Sequence, residues 1–207
     1  MPRITWIVAV SIVFLTPPAH ARSVLCFGDS TSWLYPSHLQ RLRPDWQVIN
    51  GARPGDVSSN VARLTTRLDR EHPDVVVVMI GTNDVALRPD GRPAVTFDPR
   101  VTARNIRVLA GQARHAGARV MVLTQTPAWC PGSCPARQQH TREVAHRLVA
   151  WGLHPPPGVL VADLRDELTV HSWATLSDDG LHPNLPGAAL IAAFVATRLD
   201  DAARLLR

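Results

Sequence analysis

The sequence predicts an α/β domain in which a parallel β-sheet is covered by helices on both faces. Short apolar runs alternate along the chain with segments whose apolar residues recur at helical spacing. One run, residues 75–80, is apolar at every position. A strand without a polar side must be covered on both faces, as a central strand of a parallel sheet is. The length of 207 residues fits one compact domain with a single core.

Five apolar runs are short enough to be strands and end at turn residues. Because helical segments separate them, we expect them to lie in one mostly parallel sheet. They are residues 24–27, 47–49, 75–80, 119–123 and 159–161.

Four helices are expected between and after these strands. Asp56 precedes the first, whose apolar residues form one stripe. The second begins at Asp98 and Pro99, an N-cap residue followed by the proline that suits a first helical position, and it stops by Gly117. The other two cover roughly residues 136–150 and 186–204.

The first residues have the pattern of a secretory signal peptide. Arg3 precedes an apolar segment at residues 4–15, and residues 19–21 match an A-x-A cleavage site. We therefore expect residues 1–21 to be cleaved and residues 22–207 to form a secreted or periplasmic domain. An uncleaved anchor is the alternative, although the apolar segment is short for a stable membrane span.

The charge pattern argues against a nucleic-acid partner. All of the basic residues are arginine, the formal net charge is +5, and the charges are scattered along the sequence. A nucleic-acid surface clusters basic residues and interleaves aromatic ones. We expect a monomer without a nucleic-acid partner.

The three cysteines fit an exported chain. Cys130 and Cys134 flank three residues, a spacing that can close a small disulfide loop in an oxidising compartment. Metal binding is the weaker alternative, because no second ligand pair has matching spacing. Cys26 lies in the first predicted strand and is expected to be a buried free thiol.

Candidate catalytic residues follow three of the predicted strands. Ser30 ends the run Gly28-Asp29-Ser30 after the first strand, residues 50–56 follow the second, and Asn83 lies in the turn after the third. The carboxyl ends of parallel strands share one edge of a sheet, and ligand-binding and catalytic sites usually form at that edge. An exposed serine hydroxyl is a candidate nucleophile, and a glycine N–H or an asparagine amide is a donor suited to an oxyanion hole. Taken singly, each turn is also ordinary loop chemistry.

A fourth polar block lies near the C-terminus. Asp179 precedes His182 by three residues, so its carboxylate can bond Nδ1 of the imidazole and leave Nε2 for a nucleophile. Asp29 is expected to anchor its turn rather than to act as a catalytic acid. Trp33 and Tyr35 follow the candidate nucleophile closely, and either wall an acyl pocket or belong to the core.

Together the four blocks resemble the SGNH hydrolases, also called the GDSL esterase/lipase family, in the family's order from residue 28 to residue 184. The resemblance implies a three-layer α/β/α sandwich around a mostly parallel five-stranded, flavodoxin-like sheet. Ser30 matches the nucleophile, and Asp179 and His182 match the carboxylate and base of a catalytic triad. The backbone N–H of Ser30 and the side chain of Asn83 match two donors of the oxyanion hole.

The third oxyanion donor is a glycine of the second block. The placement of Asn50 and of Gly55 before Asp56 looks like the bacterial thioesterase/lysophospholipase branch, which favours Gly55 over Gly51. One position departs from the family pattern, since Thr31 replaces the leucine that follows the serine, a packing position.

The resemblance implies an exported serine hydrolase of acyl esters or thioesters that needs neither a metal nor an organic cofactor. Its partner would be a small-molecule or polymer-linked acyl ester. A carbohydrate O-deacetylase is the alternative within the enzyme class. A non-catalytic binding protein on the same scaffold is the alternative outside it.

Overall fold

A computed structural model describes residues 22–87, 93–129, 134–170 and 173–205. Its strands are β1 (Arg22–Gly28), β2 (Trp46–Ala52), β3 (Val75–Met79), β4 (Val85–Leu87), β5 (Pro93–Thr96), β6 (Arg119–Leu123) and β7 (Val159–Ala162). Its helices are α1 (Tyr35–Leu42), α2 (Val61–Glu71), α3 (Pro99–His115), α4 (Cys134–Gly152), α5 (Leu164–Val170), α6 (Trp173–Leu176) and α7 (Leu185–Leu205). The expected signal peptide, residues 1–21, lies outside the described residues.

Five strands form one parallel sheet in the order β2-β1-β3-β6-β7, as the sequence predicts. Every residue of β3 is buried, which agrees with its unbroken apolar run. From β1 the chain adds β2 on one side of the sheet and then β3, β6 and β7 on the other side, so the order of addition changes direction between β1 and β3. In open α/β sheets a ligand site forms at such a switch point, beyond the carboxyl ends of the strands.

Two apolar clusters cover the two faces of the sheet. Side chains of successive strand residues point to opposite faces, so Val24 and Cys26 of β1 pack with α1, α5, α6 and α7. Leu25 and Phe27 pack with α2, α3 and α4 on the other face. The predicted three-layer α/β/α sandwich is therefore confirmed.

The helix boundaries agree with the expectation except at α2. Asp98 caps α3 by accepting the N–H of Arg100 at 2.7 Å. In contrast, α2 begins at Val61 rather than directly after Asp56. The carboxylate of Asp56 accepts a hydrogen bond from Asn60 and pairs with Arg63, so it does not cap a helix. The segment between Asp56 and α2 forms turns instead.

Of the three cysteines, only Cys26 can be described at its side chain. It is a buried free thiol, as expected, and burial raises its pKa to about 12. Cys130 lies outside the described residues, and Cys134 is described only by its backbone at the start of α4, so their pairing stays a prediction. Across the described part of the chain, no helix has the length and apolarity needed to cross a membrane.

Candidate active site

Ser30 begins a single turn of 3-10 helix, Ser30–Ser32, directly after β1. Asp29 caps this turn and is fully buried. Its carboxylate accepts the N–H and the hydroxyl of Thr31 at 3.0 and 2.8 Å, and the N–H groups of Gly81 and Thr82 at 3.2 Å each. Burial raises the pKa of Asp29, and these hydrogen bonds oppose that rise. Asp29 therefore anchors the turn after β1 to the turn after β3.

The same contacts explain the threonine at position 31. Thr31 is fully buried, and a buried hydroxyl needs a hydrogen-bond partner. Asp29 supplies it, so a polar side chain is accommodated at this packing position. Gly28 is required by a close approach, since a Cβ there would lie 2.2 Å from the carbonyl oxygen of Met79.

Asp179 and His182 lie on the loop before α7 and form a directed pair. Asp179 Oδ2 lies 2.6 Å from His182 Nδ1, while Oδ1 accepts the N–H groups of His182 and Leu181 at 2.7 and 2.8 Å. Burial alone would raise the pKa of Asp179, but the hydrogen bonds from the His182 side chain and from the two N–H groups hold it well below its ordinary value. The carboxylate stays ionised and fixes the imidazole with a proton on Nδ1.

The other imidazole nitrogen faces the serine. His182 Nε2 lies 2.9 Å from Ser30 Oγ, although the two residues are 152 positions apart in the sequence. The structure thus brings Ser30, His182 and Asp179 into one hydrogen-bonded line. The site is open, because the side chains of His182 and Asp179 are 43% and 55% exposed.

The loop that carries His182 is tied to neighbouring segments. The carbonyl of Gly180 accepts the N–H of Trp129 at 2.6 Å and the indole N–H of Trp173 at 3.0 Å. Asn184 caps α7 through the N–H of Gly187 at 3.0 Å, and its amide bonds the carboxylate of Asp178 at 2.9 Å. These bonds fix the backbone on both sides of the histidine.

Gly55 and Gly51 have different surroundings. Gly55 lies third in the turn from Arg53 to Asp56, which an N–H to C=O bond of 3.1 Å closes. Its φ of +78° after Pro54 suits glycine in a type II turn, and no atom lies within 4 Å of where its Cβ would be. Gly51 is inside β2, where a Cβ would lie 2.7 Å from Leu25 Cδ1. Position 55 requires glycine because of the positive φ of the turn, and position 51 requires glycine because a side chain would clash with Leu25.

Asn83 lies in the turn after β3 and reaches toward the turn that contains Gly55. The turn is a single 3-10 turn, Thr82–Asp84, and Asn83 is half-buried in it. Its Nδ2 donates to the carbonyl oxygen of Asp56 at 3.0 Å. An amide nitrogen carries two hydrogens, so one donor remains after this bond.

The two aromatic residues after the nucleophile have different environments. Tyr35 is fully buried in the core under α7, whereas Trp33 is 49% exposed. The N–H of Trp33 donates to the carbonyl of Ser30 at 3.2 Å, and its own carbonyl accepts the amide of Asn50 at 3.0 Å. Tyr35 is a core residue, whereas Trp33 is a half-exposed residue three positions after Ser30.

Arg63 is a structural residue of the site that the sequence pattern does not indicate. Its guanidinium lies 3.9 Å above the ring centroid of Phe27. It donates to the carbonyls of Gly28 and Gly51 at 3.1 and 2.6 Å and pairs with the carboxylate of Asp56. An arginine on an exposed helix is usually interpreted as a solvated charge, so only the three-dimensional structure reveals this link between the ends of β1 and β2.

Within the described residues, no group of three or more His, Cys, Asp or Glu side chains could hold a metal ion.

The chain is similar in sequence and in fold to known proteins. The GDSL-like lipase/acylhydrolase family pattern matches residues 22–190. The chain is 30% identical over 193 residues to the arylesterase of Vibrio mimicus, a match that covers 86% of this chain and 88% of that one. It is 26% identical over 192 residues to the thioesterase 1/protease 1/lysophospholipase L1 of Escherichia coli, covering 88% and 85% of the two chains. The crystal structure of the lipase/acylhydrolase from Enterococcus faecalis has the same fold, with a TM-score of 0.72, 24% identity and coverage of 87% and 96%.

Proposed function

The chain belongs to the GDSL-like lipase/acylhydrolase family, and we propose that it is an exported serine esterase acting through Ser30, His182 and Asp179. Membership makes it a carboxylic ester hydrolase. The observation that carries the proposed mechanism is the line of two short contacts, 2.9 Å from Ser30 Oγ to His182 Nε2 and 2.6 Å from His182 Nδ1 to Asp179. Nucleophile, base and orienting carboxylate stand in the order that acyl transfer requires.

In the first half of the reaction, Ser30 Oγ attacks the carbonyl carbon of the ester or thioester while its proton passes to His182 Nε2. The carbonyl electron pair moves onto oxygen and forms a tetrahedral oxyanion. Asp179, kept ionised by its hydrogen bonds, stabilises the imidazolium. When the tetrahedral species collapses, the leaving alcohol or thiol takes the proton from Nε2 and the acyl group stays on Ser30.

In the second half, a water molecule attacks the acyl-serine and gives its proton to His182. The carboxylic acid leaves and Ser30 regains its proton, so the enzyme returns to its initial state. The exposure of His182 and Asp179 is compatible with this step, because water reaches the site from solvent.

We assign the oxyanion hole to the N–H groups of Ser30 and Gly55 and to the side-chain amide of Asn83. Two observations support the assignment. Gly55 lies in an exposed turn beyond the end of β2, whereas Gly51 lies buried inside that strand. The amide of Asn83 is bonded to the backbone of that same turn and keeps a second hydrogen for the oxyanion.

The proposed substrate is an acyl ester or thioester of a small or polymer-linked alcohol or thiol. The open site and the half-exposed Trp33, three positions after the nucleophile, suit a group with a flat or extended apolar part. The relatives named as an arylesterase and as a thioesterase/lysophospholipase point to the same class.

Export and the disulfide are parts of the same proposal. The pattern of residues 1–21 supports secretion to the periplasm or beyond, and an oxidising compartment favours a bond between Cys130 and Cys134. We expect the mature protein to begin at Arg22 and to be a monomer. Intact-mass measurement of the exported protein and size-exclusion chromatography with light scattering test these two points.

A panel of p-nitrophenyl and thioester substrates of increasing acyl length, assayed beside acetylated sugars, tests the proposed substrate class. We expect turnover of the aryl and thioesters by the wild-type enzyme and loss of several orders of magnitude in Ser30→Ala. A sharp preference for acetyl groups on sugar would replace the substrate class with carbohydrate deacetylation. No turnover of any ester by folded protein would favour a binding role.

A further inference from the structure

A buried polar cluster lies beside Asn83, and the carboxylate of Asp84 is at its centre. Asp84 is fully buried. Its Oδ1 accepts the N–H of Ser58 at 2.8 Å, and its Oδ2 accepts the hydroxyls of Ser58 and Thr102 at 2.5 and 2.6 Å. Three hydrogen bonds hold this buried carboxylate in one position, because a hydrogen bond to a charged group is stronger than one between neutral groups.

The outer members of the cluster allow one arrangement of hydrogens. A hydroxyl has one proton, and those of Ser58 and Thr102 are both directed to Asp84. Thr102 Oγ1 must therefore accept from His140 Nε2 at 3.1 Å, and Ser58 Oγ accepts from the amide of Asn105 at 3.0 Å. Burial lowers the pKa of His140, so its ring is neutral with the proton on Nε2. The two hydroxyls therefore donate to the carboxylate of Asp84, and each accepts a hydrogen bond from an outer residue.

This cluster joins the two loops that carry the proposed side-chain and glycine donors of the oxyanion hole. Asp84 adjoins Asn83 in the turn after β3, and Ser58 follows Gly55 by three residues in the segment after β2. Two bonds run from Ser58 to Asp84, and a third runs from the Asn83 amide to the carbonyl of Asp56. The third bond occupies one amide hydrogen and so determines the direction of the other.

We propose that Asp84 is a positioning residue for the oxyanion hole: it clamps the Ser58 segment against the turn of Asn83, and thereby aims the Asn83 amide at the developing oxyanion. This inference rests on the proposed function. Donors of an oxyanion hole act through fixed geometry, so a small displacement of the amide weakens binding of the transition state more than binding of the ester. The expected signature is a lower kcat with little change in KM.

Asp84→Asn tests the clamp, because it keeps the shape of the side chain but replaces one acceptor oxygen with a donor. We expect kcat to fall about tenfold to a hundredfold, with KM changed less than about threefold. Asp74→Asn is the matched control. Asp74 also accepts the N–H and the hydroxyl of one serine, Ser23, at 2.7 and 3.1 Å, but at the amino ends of the strands. The kcat of the Asp74→Asn variant should equal that of the wild type.

A double-mutant cycle with Asn83→Ala separates positioning from general loss of stability. If Asp84 acts through the Asn83 amide, adding Asp84→Asn to Asn83→Ala lowers kcat by less than about twofold further. Multiplicative effects of the two substitutions would overturn the proposal, as would an Asp84→Asn enzyme with wild-type kcat. Thermal melts of all variants show whether each is folded at the assay temperature.

Ser58→Ala keeps the test decisive where Asp84→Asn does not fold. It removes one bond to Asp84 and leaves the bond from the backbone N–H. It should lower kcat severalfold and lose this effect in the Asn83→Ala background, and a wild-type kcat would overturn the clamp. Ser30→Ala distinguishes the two levels of inference. Full activity of that variant contradicts the proposed function, whereas its inactivity together with multiplicative effects contradicts only the role of Asp84.

Discussion

Asp179 has surroundings in the folded protein that it lacks in an unfolded chain. The imidazole and two backbone N–H groups surround its carboxylate, and the pKa of Asp179 is depressed as a result. A triad carboxylate holds the histidine in the tautomer with its proton on Nδ1 and stabilises the imidazolium. The neutral amide of asparagine favours the wrong tautomer. We therefore expect Asp179→Asn to lower kcat by about three to four orders of magnitude with little change in KM, as measured by steady-state kinetics.

The same carboxylate makes a pH-dependent contribution to stability. Because its folded-state pKa lies below the unfolded value of about 4, the contribution is complete above pH 4 and is lost as pH falls through the folded-state value. The Tm difference between wild type and Asp179→Asn should be about 2 °C at neutral pH and should shrink on acidification below pH 4. Calorimetry across this range measures it, and a difference that grows toward low pH would have the wrong sign.

Trp33 follows Ser30 by three positions and is half exposed, so we expect it to contact the substrate rather than to take part in the chemistry of the proposed triad. Trp33→Ala should raise KM for aryl esters about five- to tenfold and leave kcat within about twofold, because it removes contact area that ground state and transition state share. A matched assay with acetyl esters of small alcohols should change little. A fall in kcat for all substrates would instead indicate damage to the nucleophile turn.

Helix α2 contributes to the site through Arg63, which joins the carboxyl ends of β1 and β2 to the turn of Asp56. Arg63→Gln removes the cationic partner of the buried Asp56 carboxylate, which then keeps only its hydrogen bond from Asn60, and it removes a donor to each of two strand-end carbonyls. We expect the free energy of unfolding to fall by about 3 kcal/mol, since removing one partner of a buried ion pair is costly. Urea denaturation measures the change, and the exposed Arg70→Gln on the same helix should cost less than about 0.5 kcal/mol.

The strands and helices that the sequence predicts are those with one clear periodic pattern. β3 is apolar throughout because it is buried on both faces, and α3 has both an N-cap aspartate and a following proline. The start of α2 was not predictable from Asp56, because a distant arginine and a nearby asparagine compete for that carboxylate. α1 and the pair of β4 and β5 are short and carry no long apolar stripe, so local sequence does not reveal them.

The candidate site residues could be proposed for a different reason, which is the order of four short blocks along the chain. Ser30, Asn83, Asp179 and His182 each follow a strand or precede a helix, so topology alone brings them to one edge. The buried partners were not predictable. Arg63 and Asp84 form bonds to residues far away in the sequence, and such bonds have no local pattern.

The state of the three cysteines tests the proposed compartment of the molecule as a whole. The buried Cys26 thiol, with its pKa raised to about 12, should not react with a thiol reagent at pH 8 in the folded protein. After denaturation without reductant, exported protein should release one reactive thiol if Cys130 and Cys134 are paired. Three thiols would contradict the disulfide. Reduced and denatured protein is the control and should give three.

The most direct test of the proposed chemistry is peptide mass spectrometry after reaction of the folded protein with a p-nitrophenyl alkylphosphonate. Attack by Ser30 on phosphorus expels p-nitrophenol and leaves a stable adduct that resembles the tetrahedral species. We predict one phosphonyl group per chain, on Ser30, with loss of esterase activity in step with labelling and no labelling of Ser30→Ala. An enzyme that hydrolyses esters while Ser30 remains unlabelled, or that is labelled and inactivated at another residue, would contradict the assignment.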